Sequence, residues 1–161
     1  MNARTVRPLR ADEEQWVADI LEAHWGSRYM VSRGRLWDVA AMPGFVALHA
    51  GEPAGVVTYR IDGDACEVTV LLSLRERVGA GTALLDAVHE AAREAGCRRV
   101  WLITANDNMH ALRFYQKRGY RLAALYPGAL DESRRLRPQI PLLGMNGIPL
   151  RDEIELEFLL L

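Results

Sequence analysis

Apolar and polar residues along this chain repeat with two periods, near two and near 3.6, and the switches between them mark out its elements. Residues 5–9 read as a short first strand. Asp12 then stands as a helix N-cap with Gln15 three residues on, the spacing of a capping box. Trp16, Val17, Ile20, Leu21 and His24 follow at helical spacing, and Gly26 ends the helix. Residues 27–42 are rich in arginine and aromatics without a clean period, and a second short helix or ordered loop is expected over 35–41. Three strand-like runs come next, 44–50, 54–61 and 66–74. The turns Gly51-Glu52-Pro53 and Asp62-Gly63-Asp64 separate them, as in an antiparallel meander.

A long helix is predicted over 82–95, with Leu84, Val88, Ala91 and Ala95 as its buried stripe and Gly96 after it. Residues 99–104 form a short apolar strand. Asn106-Asp107-Asn108 caps a further helix, which runs to about Arg118 and stops at Gly119. A strand over 120–126 leads into 127–150, read as irregular because of Pro138, Pro141 and Pro149. The last strand, 153–161, alternates Ile154, Leu156 and Phe158 with Glu153, Glu155 and Glu157. The order β-α-(α)-β-β-β-α-β-α-β-β predicts an α+β fold, an α/β three-layer arrangement of helices on a mixed, mostly antiparallel sheet. Only its middle β-α-β is a parallel unit, which excludes a doubly wound dinucleotide fold. The 161 residues suit a single domain.

Half the residues are hydrophobic and a quarter charged, so a packed core is expected rather than disorder. A net charge of -1 and a pI near 6.4 provide no general pull toward nucleic acid or an anionic membrane, so neither is expected as a partner. No apolar run approaches the ~18–20 residues of a membrane span, and the run 1–7 has no apolar leader region. Cys66 and Cys97 form no C-x-x-C and are too few for a disulfide framework, so a cytoplasmic location is expected. No His/Cys/Asp cluster has metal-ligand spacing. The basic residues are 19 arginines and one lysine, Lys117. That bias reads either as codon composition or as an anion-binding surface, since guanidinium forks suit carboxylates and phosphates.

Gly79-Ala80-Gly81 follows a strand and opens a helix, which presents backbone N–H groups at a positive helix end. A Rossmann fingerprint would need Gly or Ala where Leu84 stands, and a Walker loop would need Gly-Lys-Ser/Thr. Further on, Asn108, Ala111 and Tyr115 lie near one helical face, with Gly119-Tyr120 beyond. Strand, G-x-G, helix, strand, then Asn-x-x-Ala-x-x-x-Tyr-x-x-x-Gly-Tyr strongly resembles the GNAT superfamily of acyl-CoA-dependent N-acetyltransferases, most specifically over 67–121. The resemblance implies acetyl-CoA as cosubstrate, with its pyrophosphate on the loop before the long helix and its acetyl and pantetheine arm along a bulged strand. The cofactor set it implies is Leu72, Leu74, Arg77, Val78, Gly79, Gly81, Thr82, Asn106, Asn108, Ala111 and Tyr115. Glu76 stands where the family's loop has Arg or Gln, so it must point away from the phosphates or be paired. Arg75 or Arg77 would supply the cation.

Acetyl transfer from a thioester to an amine needs a neutral amine, a donor for the oxyanion and a proton for the thiolate. Tyr115 matches the family tyrosine beside the CoA sulfur and is the expected acid. Glu67 is the candidate base, sharing a face with Thr69 and Leu71 by period two, or else a solvated strand glutamate. The oxyanion donor falls to a backbone N–H over 70–72. Acceptor sites in this superfamily draw on the first helices and on the loop before the last strand, here Trp25, Arg28, Tyr29 and Trp37 with Arg134 and Arg135. These imply a lid over a small-molecule amine that also bears an anionic group, or else a solvated arginine face. A non-catalytic acyl-CoA-binding or regulatory module is the alternative. The apolar end 158–161 would pair across a homodimer or simply finish the sheet.

Overall fold

Local periodicity marks most elements of this chain, and strand pairing decides the rest. The computed structural model describes residues 4–161; residues 1–3, part of the run read for a leader, lie outside it. The elements in chain order are β1 (Arg4–Pro8), α1 (Glu14–Trp25), β2 (Tyr29–Ser32), β3 (Arg35–Asp38), β4 (Gly44–His49), β5 (Glu52–Asp62), β6 (Ala65–Ser73), α2 (Ala80–Glu94), β7 (Arg99–Ala105), α3 (Met109–Lys117), β8 (Arg121–Tyr126), α4 (Ala129–Leu136) and β9 (Glu153–Leu159). They divide into two units. The first holds residues up to Met30, then Asp38–Val100 and Leu160–Leu161; the second holds Val31–Trp37 and Trp101–Leu159.

In the first unit β1, β4, β5 and β6 pair in that order, each antiparallel to the next, so the expected meander is present. Val46, Val56, Val57 and Val70 of the sheet, Val17 and Leu21 of α1, and Leu84 and Val88 of α2 are fully buried. Truncating Leu21 or Leu84 to alanine costs about 2–5 kcal/mol at such sites. Helix α2 comes close to the sheet at Gly55, where a methyl group would lie 3.0 Å from Leu84 Cδ1 and 3.2 Å from Ala80 Cβ.

The entry to α1 differs from the Asp12–Gln15 box. A 3₁₀ turn over Ala11–Glu13 moves the cap upstream: the Arg10 N–H donates to Glu13 Oε1 at 2.8 Å. The Arg7 guanidinium grips the same carboxylate with two bonds of 2.8 and 3.0 Å, and Gln15 bonds Asp19 instead. Gly26, with φ 78°, ends α1 as expected.

The helix or loop expected over 35–41 is largely a hairpin. β2 and β3 flank Arg33-Gly34, whose φ angles of 50° and 73° make the two-residue turn that matches strand twist. Once Gly34 allows that turn, 35–38 is drawn into extended pairing, and only a 3₁₀ turn remains at Val39–Ala41.

Strand β6 carries a bulge. Thr58 pairs with Val70 and Tyr59 with Val68, so Thr69 is the extra residue. Opposed residues share a face, which puts Glu67, Val70 and Leu72 with Arg60, Thr58 and Val56. Thr69 joins them through a 2.8 Å bond between its hydroxyl and that of Thr58. Leu71, opposite Val57, lies on the other face, so the period-two grouping of Glu67, Thr69 and Leu71 fails at its last member.

In the second unit β9 lies between β7 and β8, antiparallel to β8. Asn108 caps α3, its Oδ1 accepting the Ala111 N–H at 3.0 Å. Tyr115 stacks edge-on against Phe114 and Tyr120 at 5.2 and 5.4 Å. The segment read as irregular contains α4. Gly128 starts it at φ 72° and donates its N–H to Asp152 Oδ1 at 2.8 Å. Asp131 and Glu132 in its first turn and Arg134 and Arg135 in its last suit the helix dipole. Eight residues with few apolar positions left little period to detect. In β9 the alternation also breaks, because Glu155 is buried at 4% exposure.

The Glu13 carboxyl is held down at about 2, first by the Arg7 hydrogen bond, against an ordinary value of 4.5. A depressed carboxylate stabilises fully above its unfolded pKa and loses that contribution as pH falls through the folded one. Glu13→Gln should therefore lower Tm by roughly 3 °C at neutral pH. The gap from wild type should close between pH 4.5 and 2. Thermal melts across that window check it, and a gap independent of pH would refute the linkage.

Candidate functional site

The expected site residues fall into two groups, one in each unit. In the first unit, Leu72 and Leu74 are half-buried and lead from β6 into the turn, where the Leu74 N–H donates to the Ala54 carbonyl at 2.8 Å. Arg77 and Gly79 both take left-handed φ, 63° and 72°. That path sends the chain directly into α2, whose N-cap Gly79 has no side chain to satisfy the first amides, while Gly81 and Thr82 follow in the opening turn. Glu76 is exposed, as its position in the loop requires.

The cation beside this turn is one the motif did not indicate. Arg4 of β1 donates from Nη1 to the Val78 carbonyl at 3.0 Å. A methyl group on Gly79 would meet that same nitrogen, the movable end of a long side chain, so it is the left-handed φ that requires the glycine. Arg75 and Arg77 are exposed. No local pattern links position 4 to position 79; only pairing of β1 with β4 brings them together.

Glu67 lies upstream on β6 at 3% exposure, so the solvated alternative does not hold. Its Oε1 accepts from Arg60 Nε at 2.7 Å. Trp25 and Tyr29 are exposed at the end of α1 and the start of β2. Arg28 donates to Asp38 at 2.9 Å and to Glu14 at 2.7 Å. It staples the chain locally and is raised further above its ordinary pKa by these partners, Asp38 first.

In the second unit Asn108, Ala111 and Tyr115 stand on α3 as the spacing implied. Tyr115 is 8% exposed, and burial pushes its phenol above the ordinary value of 10. Asn106 has a different occupation: it donates to the Pro149 carbonyl and accepts from the Arg151 and Asp152 N–H groups. Trp37 lies under the Arg35 guanidinium, 4.2 Å from the ring centroid. Arg134 gives way as an acceptor ligand. Its donors go to Asp131 and to the carbonyls of Ile140, Pro141 and Leu150, so it ties α4 to the proline-rich segment. Arg135 is exposed and pairs with Glu132 at 3.3 Å, the solvated alternative.

Among the described residues no group of three His, Cys, Asp or Glu is arranged to hold a metal ion, and no helix is long and apolar enough to cross a membrane.

The acetyltransferase (GNAT) family model matches residues 10–120. This chain belongs to the GNAT acetyltransferase family. The uncharacterized protein YdhI of Bacillus subtilis (strain 168) is 46% identical over 139 residues, covering 86% of this chain and 87% of that one. Among solved structures, a Bacillus subtilis acetyltransferase in complex with CoA matches with a TM-score of 0.68, 22% identity and full coverage of both chains. A GNAT acetyltransferase from Elizabethkingia anophelis with acetyl-CoA bound matches at 0.69, with 19% identity over 98% of each chain. These two support the GNAT fold, the mixed and mostly antiparallel sheet with flanking helices that the element order predicted.

The two arginines of α4 should part company on substitution. Arg134→Ala should lower Tm by about 5 °C by stranding several carbonyls, whereas Arg135→Ala should stay within about 1 °C of wild type. Differential scanning calorimetry of both variants checks this, and equal melting temperatures would remove the staple.

Proposed function

We infer that this GNAT member moves an acetyl group from acetyl-CoA to an amine of a small molecule, by direct attack within a ternary complex. The observation that carries the reading is the bulged β6 running into the glycine-led start of α2. The uncapped amides at Gly79–Gly81 and the Arg4 guanidinium are the groups in the first unit suited to a pyrophosphate. That CoA and acetyl-CoA occupy solved relatives of the same fold supports this choice of cosubstrate. The single chain serves as one acetyltransferase domain in this reading.

The chemistry balances simply. The amine nitrogen attacks the thioester carbonyl, a C–N bond forms and the C–S bond breaks. The nitrogen gives up one proton and the sulfur takes one. Tyr115 is the proton donor: its raised phenol pKa keeps it protonated through the physiological range. Asn108 spends its Oδ1 on the cap of α3 and retains its amide N–H₂ for the cosubstrate. Glu67 takes the amine's proton, directly or through water.

The Arg60 ion pair favours a second role for Glu67. The Glu67 carboxylate is held at 2.7 Å by the Arg60 guanidinium, and the pair ties β6 to β5 just before the bulge at Thr69. On that account Glu67 is a positioning residue.

Thiol release from acetyl-CoA with a panel of small amines tests the reading. Tyr115→Phe should reduce kcat about a hundredfold while acetyl-CoA still raises Tm as in wild type. In Glu67→Gln a base role predicts loss of the acidic limb of the pH–rate profile; a positioning role predicts lower kcat with an unchanged profile. No thiol release on any amine, with the acetyl-CoA thermal shift intact, would replace the enzyme with the binding module.

A further inference from the structure

Glu155, Tyr126 and Trp101, all in the second unit, converge on one cation. Glu155 is 4% exposed in β9, and its Oε1 accepts both the Tyr126 hydroxyl at 2.8 Å and Arg33 Nη2 at 2.5 Å. The Arg33 guanidinium carbon lies 4.1 Å from the centroid of the Trp101 ring. A buried carboxylate beside an indole face is the chemistry that recognises ammonium and guanidinium groups.

The occupant comes from an unusual place. Arg33 is the first residue of the β2–β3 turn, at φ 50°, where Asn, Asp or Gly is the usual choice. Its side chain is 46% exposed while that of Glu155 is 6% exposed, so the guanidinium closes the cluster from outside. The two strands that hold it are four residues each, and a hairpin of that size is marginal by itself. The arrangement resembles a cationic ligand supplied by the protein itself.

The geometry points to Trp101, Tyr126 and Glu155 as a subsite for a second cationic group on the amine acceptor, with Arg33 standing in that group's place until it is displaced. The substrate class is then a diamine or a guanidino-amine. The anion-bearing acceptor expected from the arginine cluster is left without Arg28 and Arg134, whose donors are engaged elsewhere. The substrate assignment rests on the acetyl-transfer reading; the cation subsite does not.

Binding is tested apart from catalysis with methylguanidinium chloride at millimolar concentration. Arg33→Ala should gain several degrees in Tm, whereas wild type, its subsite filled, and Arg33→Ala/Glu155→Gln should not. No gain in Arg33→Ala, or the same gain in all three, overturns the subsite. Rates are then compared for diaminobutane and butylamine. The ratio of their kcat/KM values should rise about tenfold in Arg33→Ala and fall about tenfold in Glu155→Gln. A ratio unchanged in both overturns the assignment. Should Arg33→Ala not fold, Glu155→Gln, which keeps the shape of the site, decides alone by the same ratio. If no variant acetylates either amine while methylguanidinium still stabilises Arg33→Ala, the transfer reading fails and the subsite stands.

Discussion

The β6 register depends on one residue that stands opposite nothing on β5. Thr69 adds a step to the strand, and every later side chain changes face. Leu72 therefore lies on the face of Glu67 and Arg60, and Leu71 turns to the face of Val57. An unbulged β6 would reverse both leucines and turn the strand's final residues the other way as they enter the loop that opens α2. The hydroxyl pair Thr58–Thr69 secures the extra residue, and Thr69 also reaches Met42 Sδ at 3.3 Å. A family feature described as a bulged strand is thus, in this chain, a threonine clasp between neighbouring strands.

The arginine-rich composition takes a structural meaning from these contacts. Arg7 closes the start of α1, Arg28 joins Glu14 to Asp38, Arg60 holds Glu67, and Arg134 gathers three carbonyls and a carboxylate. Arg7, Arg28 and Arg134 each use the planar fork to bridge two or more acceptor atoms, which a lysine ammonium does less well. Beside the glycine turn, Arg4 joins the exposed Arg75 and Arg77.

Most of the element order was legible because long periodic segments and glycine stops carry local information. Helix α2, Asn108 as the cap of α3, and the 44–74 meander were read locally, although in α2 only Leu84 and Val88 of the expected stripe are buried: Ala91 is half-buried, and Ala95 is exposed past the helix end, where the stripe passes on to Leu85 and Ala92. The G-x-G and Asn-Ala-Tyr spacings were likewise local. What escaped were features decided by distant partners. Arg4 meets Gly79 only through strand pairing, Arg33 meets Glu155 across 122 positions, and α4 has too few apolar residues to announce itself. Glu155 was misplaced for the same reason: alternation predicts solvent on its side, and a remote arginine and tyrosine cover it.

The burial of the two cysteines bears on the order of chemical events. Desolvation raises both thiols above their ordinary value, Cys66 to about 12. At neutral pH the Cys66 thiolate is then a minority on the order of one in a hundred thousand, too scarce to compete for a thioester. A two-stage relay through an acylated Cys66 has almost no nucleophile to begin it. Cys66 therefore adds little background to an assay that reads the free thiol released from the cosubstrate.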